Sequence, residues 1–392
     1  MQRVRRPVPN TGMAFSSSDY YVGELFAHAQ SCHWLLGYSD LGTSLLAGKD
    51  PHGDGAAFVL GVTYEEWVEN KKLPKFKLMR QAQKPFSFGK PAAMGDVKIV
   101  LTNRRSGPDT PCESGPHWVY DGDKRVRGYK GTRFCILVDG AKSCGDVKVT
   151  RWGRRGREQE IAPTCAQCLD VSVRMSTAWL AKNRENRPYS DLMSRFVEDG
   201  MVIEQAALDR WPHLQEVFEP GTQLDPGQVM QHVSGRIRGG LEYSACSNTF
   251  FQALVGEFTK AAFWRVSMEC YDKTIRVPEF AHPNSRRSRY AGGPSPLLGS
   301  RMIGFFHDEL FGEHPLSVAS DSTKRVVEVM EEEAMHYMPD MASTVRAEGC
   351  LQVGGWFKNA EPNWLRGGAK AADENDILIP WVPSTPRVVA RA

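Results

Sequence analysis

An apolar run ends in three ionisable residues at Gly304-Phe305-Phe306-His307-Asp308-Glu309. Near the N-terminus, a second run of small or apolar residues also ends in an acid, at Ala14-Phe15-Ser16-Ser17-Ser18-Asp19-Tyr20. Both runs are typical of strands, so they would bring two carboxylates to one edge of a sheet. Carboxylate oxygens suit Mg²⁺, and two such ions about 4 Å apart serve phosphoryl transfer. The pattern therefore predicts a two-metal site built on Asp19 and Asp308.

The remaining sequence predicts helices around these strands and one β-rich insert. Residues 96–170 are rich in glycine, basic residues and short β-branched runs, such as Arg133–Val138 and Asp146–Thr150, which indicates the insert. Residues 276–300 form a Pro-, Arg- and Gly-rich loop before the strand Arg301–Phe306. Helical spacing of apolar residues predicts helices over Glu24–Leu36, most of 40–95 including Lys77–Phe88, Val171 to about Phe218, Asn248–Cys270 and Val318–Tyr337.

Length and composition indicate an ordinary globular protein of two or three domains. The 392 residues are 41% hydrophobic and 24% charged, and the net charge is only +3. The charge is uneven, since 124–157 and the cluster of Arg286, Arg287 and Arg289 are basic. Such patches attract phosphate backbones, although solvated loops give the same pattern.

The sequence also predicts where the chain functions. No run is long enough to span a bilayer, and the N-terminus lacks the apolar stretch of a signal peptide. We therefore expect a cytoplasmic protein whose nine cysteines are thiols or metal ligands rather than disulfides.

Three motifs resemble family A (DNA polymerase I-like) DNA polymerases, in the family's order along the chain. Asp19-Tyr20-Tyr21-Val22-Gly23-Glu24-Leu25 resembles motif A, Arg80-Gln81-Ala82-Gln83-Lys84-Pro85-Phe86-Ser87-Phe88-Gly89 resembles motif B on the fingers O-helix, and His307-Asp308-Glu309 resembles motif C. The phrases Ala47–His52 and Val233–Gly240 look like a phage branch of the family. The resemblance covers nearly the whole chain except the insert.

The resemblance implies an α+β fold, with a palm of antiparallel sheet backed by helices and mainly helical fingers. It also implies templated addition of deoxynucleotides to a primer in the cytoplasm of a phage-infected host. The implied domains are palm with motif A (1–40), fingers with the O-helix (41–95), insert (96–170), remaining fingers (171–247), palm with motif C (248–380) and tail (381–392).

The implied catalytic residues are the two aspartates and one neighbouring acid. Asp19 and Asp308 would hold two Mg²⁺ ions, and Glu309 would be an accessory acid. The backbone carbonyl of Tyr20 would help to hold the second ion, and Glu24 resembles the steric gate against ribonucleotides. A turn residue or a helix cap is the ordinary alternative for an isolated aspartate after a strand.

Further residues are implied to bind the incoming nucleotide and the DNA. Arg80 and Lys84, one helical turn apart, would grip the triphosphate, and Phe88 would pack on the base and sugar. His52 is a further candidate for nucleotide binding. For DNA, the candidates are Asn248 and Gln252 in the minor groove and His307 at a primer phosphate; polar faces of surface or core helices are the alternative.

The insert carries a candidate zinc site. Its four thiols, Cys135, Cys144, Cys165 and Cys168, would suffice for a tetrahedral structural Zn²⁺ site. Cys112 and His117 are possible substitutes, and buried free cysteines are the alternative.

Some positions depart from the family pattern, notably Phe26, Pro85 and Ser87. Proline inside a helix removes a backbone donor and favours a kink. The chain also starts shortly before motif A, so we expect a separate polypeptide to supply the thumb and exonuclease. A polymerase-derived, non-catalytic, zinc-containing DNA-binding or replisome-assembly subunit is the alternative function.

Overall fold

The computed structural model describes residues 13–105, 117–121, 124–128, 134, 146–152, 158–352 and 378–379. In chain order the strands are β1 Met13–Tyr20, β2 His117–Asp121, β3 Lys124–Gly128, β4 Asp146–Trp152, β5 Glu158–Cys165, β6 Val229–Met230, β7 Ile237–Arg238, β8 Arg301–Phe306, β9 Glu309–Pro315, β10 Ala347–Gln352 and β11 Leu378–Ile379. The helices are α1 Gly23–Leu36, α2 Asp40–Leu46, α3 Pro51–Leu60, α4 Tyr64–Asn70, α5 Pro74–Gly89, α6 Asp96–Arg105, α7 Ala166–Lys182, α8 Asn186–Asp199, α9 Gln205–Arg210, α10 Tyr243–Tyr271 and α11 Ala319–Tyr337. Within these ranges, no helix is both long and apolar enough to cross a bilayer.

The chain divides into two compact units. Unit 1 comprises Met1–Gln30 and Phe251–Ala392, and unit 2 comprises Ser31–Phe250. Unit 1 contains one five-stranded sheet in the order β11-β10-β1-β9-β8, and every neighbouring pair in it is antiparallel. The prediction of a small antiparallel sheet accompanied by many helices is therefore confirmed.

Helix α11 packs on one face of this sheet, and close contact at β10 requires glycine. A side-chain carbon at Gly349 would lie 2.6 Å from Cγ2 of Val327 and 3.0 Å from Cγ2 of Thr323. The hydroxyl of Tyr20 donates to the carbonyl of Met330 on α11 at 2.8 Å. These contacts fix which face of β1 meets the helix, because alternate residues of a strand project from opposite faces.

A buried hydrogen-bond chain pairs Ser16, the first of three consecutive serines in β1. The Oγ of Ser16 lies 2.6 Å from Nε2 of His314 on β9, and Nδ1 of His314 lies 2.9 Å from Oγ of Ser300. Burial lowers the pKa of His314 to about 3, so the ring stays neutral and each nitrogen has a hydroxyl partner. Buried polar groups that are paired in this way do not destabilise the core.

Unit 2 is mainly helical, as predicted for 40–95 and 171–218. Helices α3, α5, α6 and α7 surround an apolar cluster that includes Trp67, Phe86, Ile99 and Trp179. Helix α4 begins with a capping box between Thr63 and Glu66. Helix α5 continues through Pro85 rather than ending there.

The structure differs from the predicted elements at two places, the start of the insert and the partners of β1. The first ten residues of the predicted β-rich insert form helix α6, because Ile99 and Val100 are buried against the neighbouring helices. The strand predicted at Asp146–Thr150 is present as β4, whereas most of Arg133–Val138 lies outside the described residues. Strands β9 and β10 are absent from the predicted elements, although both pair with β1.

Candidate active site

Three carboxylates share one rung of the sheet in unit 1. Asp19, at the end of β1, is directly opposite Glu309 on β9 and directly opposite Glu348 on β10. Directly opposed residues of antiparallel strands project from the same face. The rung therefore presents three acids together, on the face opposite to the one from which Tyr20 contacts α11.

A tight turn places a fourth acid beside this rung. Phe306 pairs with Glu309, so His307 and Asp308 are the two residues that connect β8 to β9. His307 has a φ of 62°, as the first residue of a two-residue primed turn requires. Histidine adopts positive φ more readily than most side chains do. The turn thus brings Asp308 next to the end of β1, as the sequence predicts.

Burial and the neighbouring acids of this cluster shift the pKa of Asp19. Asp19 is exposed as a whole residue, although neighbouring protein removes much of the water from around its carboxylate. Loss of water and then the charges of Asp308, Glu309 and Glu348 raise the pKa of Asp19 to about 8. Repulsion of this kind is relieved when a cation binds among the carboxylates.

We expect Asp19→Asn to stabilise the metal-free protein at high pH. The wild-type carboxyl has a pKa of about 8 in the folded chain against an ordinary 3.8. Its contribution to stability is therefore complete below pH 4 and is lost as the pH rises towards 8. Asparagine does not ionise, so the melting temperature of the variant should exceed that of wild type by about 2–4 °C above pH 8 and match it near pH 4.

Melting curves recorded in a chelating buffer between pH 4 and pH 9 test this expectation. The control is Asp191→Asn, which removes an exposed acid from α8. A constant difference between Asp19→Asn and wild type at every pH would contradict the electrostatic interpretation.

Glu309 is held by the neighbouring strand rather than left free. The hydroxyl of Ser17 donates to Oε1 of Glu309, diagonally across β1 and β9. Burial and the charge of Asp308 raise the pKa of Glu309, while the Ser17 hydrogen bond opposes the shift. This anchored position is compatible with the predicted accessory role, which stays a prediction.

His307 connects Asp308 to Glu24. Its Nδ1 lies 2.9 Å from Oδ1 of Asp308, and its Nε2 lies 3.3 Å from Oε1 of Glu24 in the first turn of α1. Burial acts to lower the pKa of His307, but the hydrogen bond to Asp308 and the charges of both acids outweigh it and raise the pKa. The structure thus brings Asp19, Glu24, His307, Asp308 and Glu309 together in unit 1.

Tyr20 contributes its side chain to the core and not to the acidic face. Its ring packs edge-on against Phe258 at 4.7 Å between centroids, and its hydroxyl is bonded to α11. Only its backbone carbonyl remains for the predicted contact with a second ion.

The predicted nucleotide-binding residues of unit 2 also cluster. The ring of His52, at the start of α3, lies 5.2 Å from that of Phe88 near the end of α5. Arg80 is paired with Asp50, the N-cap of α3, so its guanidinium is already engaged. Burial, and then the cations Arg80 and Lys84, lower the pKa of His52 to about 4 against the opposing charge of Asp50. His52 is therefore neutral at physiological pH.

The predicted DNA-binding amides lie one turn apart on α10. Asn248 belongs to unit 2 and donates to the carbonyl of Ser244 at 2.8 Å, whereas Gln252 belongs to unit 1 and is exposed. Their spacing places them on one face of the helix. Their contact with DNA stays a prediction.

Only half of the predicted zinc site lies within the described residues. Cys165 and Cys168 are buried in the apolar cluster that also contains Phe134, and neither forms a disulfide. Cys135 and Cys144, like the substitute Cys112, lie outside the described residues; His117 is described only as part of β2. The zinc site stays a prediction, which metal analysis of the purified protein can test.

Two site residues were missed by the sequence reasoning. Glu348 follows no recognisable motif, and only the pairing of β10 with β1 places it beside Asp19. The sequence does indicate that Asp50 caps a helix, because an Asp directly before a Pro is common at helix N-termini. Its ion pair with Arg80 depends on the packing of α3 against α5 and has no signal in the sequence.

No protein-family model matches the chain, and no curated protein matches it. Among solved structures, the chain is similar to the POL domain of Pol1 from M. smegmatis in complex with DNA primer-template and dNTP. The two chains are 12% identical, the TM-score is 0.46, and the similarity covers 88% of this chain and 40% of that chain. Function therefore has to be inferred from the side chains of the site.

Proposed function

We propose that this chain is the catalytic portion of a template-directed DNA polymerase, which adds deoxynucleotides to a primer 3′-hydroxyl. The observation that carries the proposal is the rung that opposes Asp19 to Glu309, directly beside the turn that contains Asp308. This arrangement supports a role for both aspartates at one reacting centre, in addition to the order of the three motifs along the chain.

The donor set fits magnesium. Among the described residues, no group of three or more His, Cys, Asp or Glu side chains is arranged to hold a metal alone. Mg²⁺ is usually held by one or two carboxylates together with water and substrate phosphates, so Asp19 and Asp308 would be sufficient. Bound ions would neutralise phosphate charge and make the primer hydroxyl easier to deprotonate.

The residues around the aspartates have distinct proposed roles. The His307 side chain is about half exposed, with a raised pKa, and would donate a hydrogen bond to a primer phosphate. Glu309 would keep its bond to Ser17 and act as an accessory acid. Glu24 would limit the space beside the nucleotide sugar.

In unit 2, α5 would bind the incoming nucleotide. Lys84 would contact the triphosphate as a point charge, and the exposed ring of Phe88 would pack on the base. Arg80 would have to exchange Asp50 for a phosphate, and an anion with more charge than a carboxylate can favour that exchange.

The direct test is primer extension with one nucleotide at a time. Against each of the four template bases, we expect the purified chain with Mg²⁺ to add only the complementary deoxynucleotide. A chelator should abolish the addition. Addition that ignores the template base, or no addition in the presence of any partner, would contradict the proposal.

We expect Glu24→Ala to admit ribonucleotides. Removing a carboxyl-bearing side chain would open space for a 2′-hydroxyl, and steric discrimination of this size is typically about 10- to 100-fold. The measurement is the ratio of kcat/KM for a ribonucleotide to that for the matching deoxynucleotide, which cancels general losses of activity. Glu24→Gln keeps the bulk and should keep the discrimination; equal ratios in both variants would refute the steric-gate assignment.

A second polypeptide is a further part of the proposal. In unit 1, Trp264, Met268 and Tyr271 are exposed on one face of α10, and the ring of the neighbouring Phe263 lies 5.4 Å from Phe305 on β8. Exposed apolar patches of this kind often mark interaction sites. We expect co-expression with the product of a neighbouring reading frame to increase processivity. A processive enzyme obtained from this chain alone would contradict the need for a partner.

The alternative is a non-catalytic DNA-binding or replisome-assembly subunit. The observation in its favour is that Asp50 already occupies Arg80, which a polymerase would need for the triphosphate. That function predicts equal binding of primer-template with and without Mg²⁺ and no nucleotide addition under any condition.

A further inference from the structure

Unit 2 contains a cavity of about 420 Å³ that is formed only by its own residues. Its walls include Trp34 from α1, Arg195 and Asp199 from α8, and Arg210 from α9, together with Trp211 and His232. None of these residues belongs to the acidic cluster or to the His52–Phe88 pair. The volume is within the range of small-ligand pockets.

Aromatic rings dominate one side of the cavity. The rings of Trp34 and Trp211 meet edge to face at 6.0 Å between centroids, and His232 meets Trp34 in the same way at 5.3 Å. Perpendicular rings hold each other in place. A rigid corner of this kind offers flat apolar surface to a planar ligand.

Two polar groups in this corner lack partners. Nδ1 of His232 and Nε1 of Trp34 are buried without a hydrogen bond among the described residues, and His232 is only 6% exposed. Burial and the nearby Arg210 lower the pKa of His232 to about 4, so the ring is neutral and offers one donor and one acceptor. An unpaired buried polar atom destabilises a folded protein. A ligand with donors and acceptors in one plane would relieve this cost.

The charged residues around the cavity indicate what charge its ligand carries. The guanidinium of Arg210 lies over Trp34 at 5.9 Å from the ring centre, so the protein's own cation occupies the place that a cationic ligand would take. Arg195 adds a second positive charge, while Asp199 and Glu204 add two negative ones. This near-neutral set suits a single phosphodiester charge better than a triphosphate.

We propose that this cavity binds one unpaired nucleotide of single-stranded DNA, with the base against Trp34 and Trp211 and its phosphate near Arg195 and Arg210. The inference depends on the proposed function, in which the template must be single-stranded ahead of the primer end. Aromatic stacking combined with arginine contacts is the usual way in which proteins hold unpaired bases without reading their sequence.

The test uses a labelled thymidine 12-mer that contains 5-iododeoxyuridine, with the full-length protein. Ultraviolet crosslinking followed by peptide mapping should locate the crosslink at Trp34, Trp211 or His232. In anisotropy titrations, Arg195→Ala and Trp211→Ala should each raise the Kd by about fivefold or more. The control is Arg187→Ala, which removes an exposed arginine two turns away on α8 and should leave the Kd unchanged.

Two competitors identify the source of the nucleotide. A blunt duplex should compete weakly, and free dTMP should compete only at far higher concentration than the 12-mer. Crosslinks elsewhere, or equal Kd values for Arg195→Ala and Arg187→Ala, would overturn the proposal. Because Trp211 also packs against the core, Arg195→Ala decides the outcome if Trp211→Ala does not fold.

The same experiment separates this proposal from the polymerase proposal. Asp308→Asn lies in unit 1 and should leave the 12-mer affinity and crosslink unchanged. If the protein gives the expected crosslink but adds no nucleotides, the polymerase proposal is wrong and the single-strand site is supported. Tight capture of dTMP without any oligonucleotide crosslink would overturn the assignment to single strands.

Discussion

Asp308→Asn should lower nucleotide addition by at least about 10³-fold, and Asp19→Asn should do the same, without loss of the fold. Each substitution keeps the shape of the side chain but removes the charge that would hold a divalent ion. Asp19 lies at the end of β1 and Asp308 lies in the neighbouring β8–β9 turn, and their negative charges repel each other. The loss should therefore appear in kcat without any lowering of the melting temperature.

The matched control is Glu348→Gln, in the same rung of the sheet. Its charge is the weakest of the three acids that raise the pKa of Asp19. It also belongs to no predicted motif, so we expect a loss of less than about tenfold in kcat, well short of the loss for a metal ligand. If Glu348→Gln lowers kcat as much as Asp308→Asn does, then Glu348 also holds the ions and the proposed ligand set is wrong. Full activity of Asp308→Asn would exclude the polymerase function itself.

Local patterns were sufficient to predict the strands that present the acids. The five small or apolar residues Ala14–Ser18 before Asp19, and the apolar run before His307, made β1 and β8 recognisable without knowledge of their neighbours. Helices α5, α10 and α11 were likewise predicted to within a few residues at each end. These elements depend mostly on periodicity, which a single sequence contains.

Most features of the fold and the site that could not be predicted from the sequence depend on contacts between distant parts of the chain. Glu348 reaches Asp19 only because β10, more than 300 residues away, pairs with β1 in one register. The start of the insert was predicted as β-rich, yet burial of Ile99 and Val100 in a helical cluster makes it α6. Likewise, the motif predicted that Arg80 binds the triphosphate, but it did not indicate that Asp50, the N-cap of α3, pairs with Arg80.

The second large effect is a loss of stability, which we expect when Arg325 on α11, in the interior of unit 1, is replaced. This guanidinium is fully buried and binds Glu269 of α10 through two donors, at 2.8 and 2.9 Å. It also contacts Glu328 at 2.7 Å and Glu332 at 3.2 Å. Arg265 approaches Glu332 at 2.6 Å, so two cations serve several acids in one buried network.

Arg325→Met should therefore destabilise unit 1 by about 3–5 kcal/mol, because it leaves Glu269 and Glu332 buried without their main cation. Arg325→Lys should be intermediate, since an ammonium group cannot bind Glu269 through two parallel donors. The control is Arg184→Met, which removes an equally bidentate partner of Asp40 at an exposed site and should change little.

The pH dependence of this loss identifies its cause. Burial already raises the pKa of Glu332 despite Arg325 and Arg265, and removal of Arg325 would raise it further. A group with a raised pKa in the folded state loses its contribution as the pH rises through that pKa. The loss of stability in Arg325→Met should thus be smallest near pH 4 and grow towards pH 7.

Hydrogen exchange of α11 amides measures this loss of stability locally, which avoids assuming that the two units unfold together. A deficit that is the same at both pH values would mean that lost packing, and not unpaired buried charge, accounts for the effect.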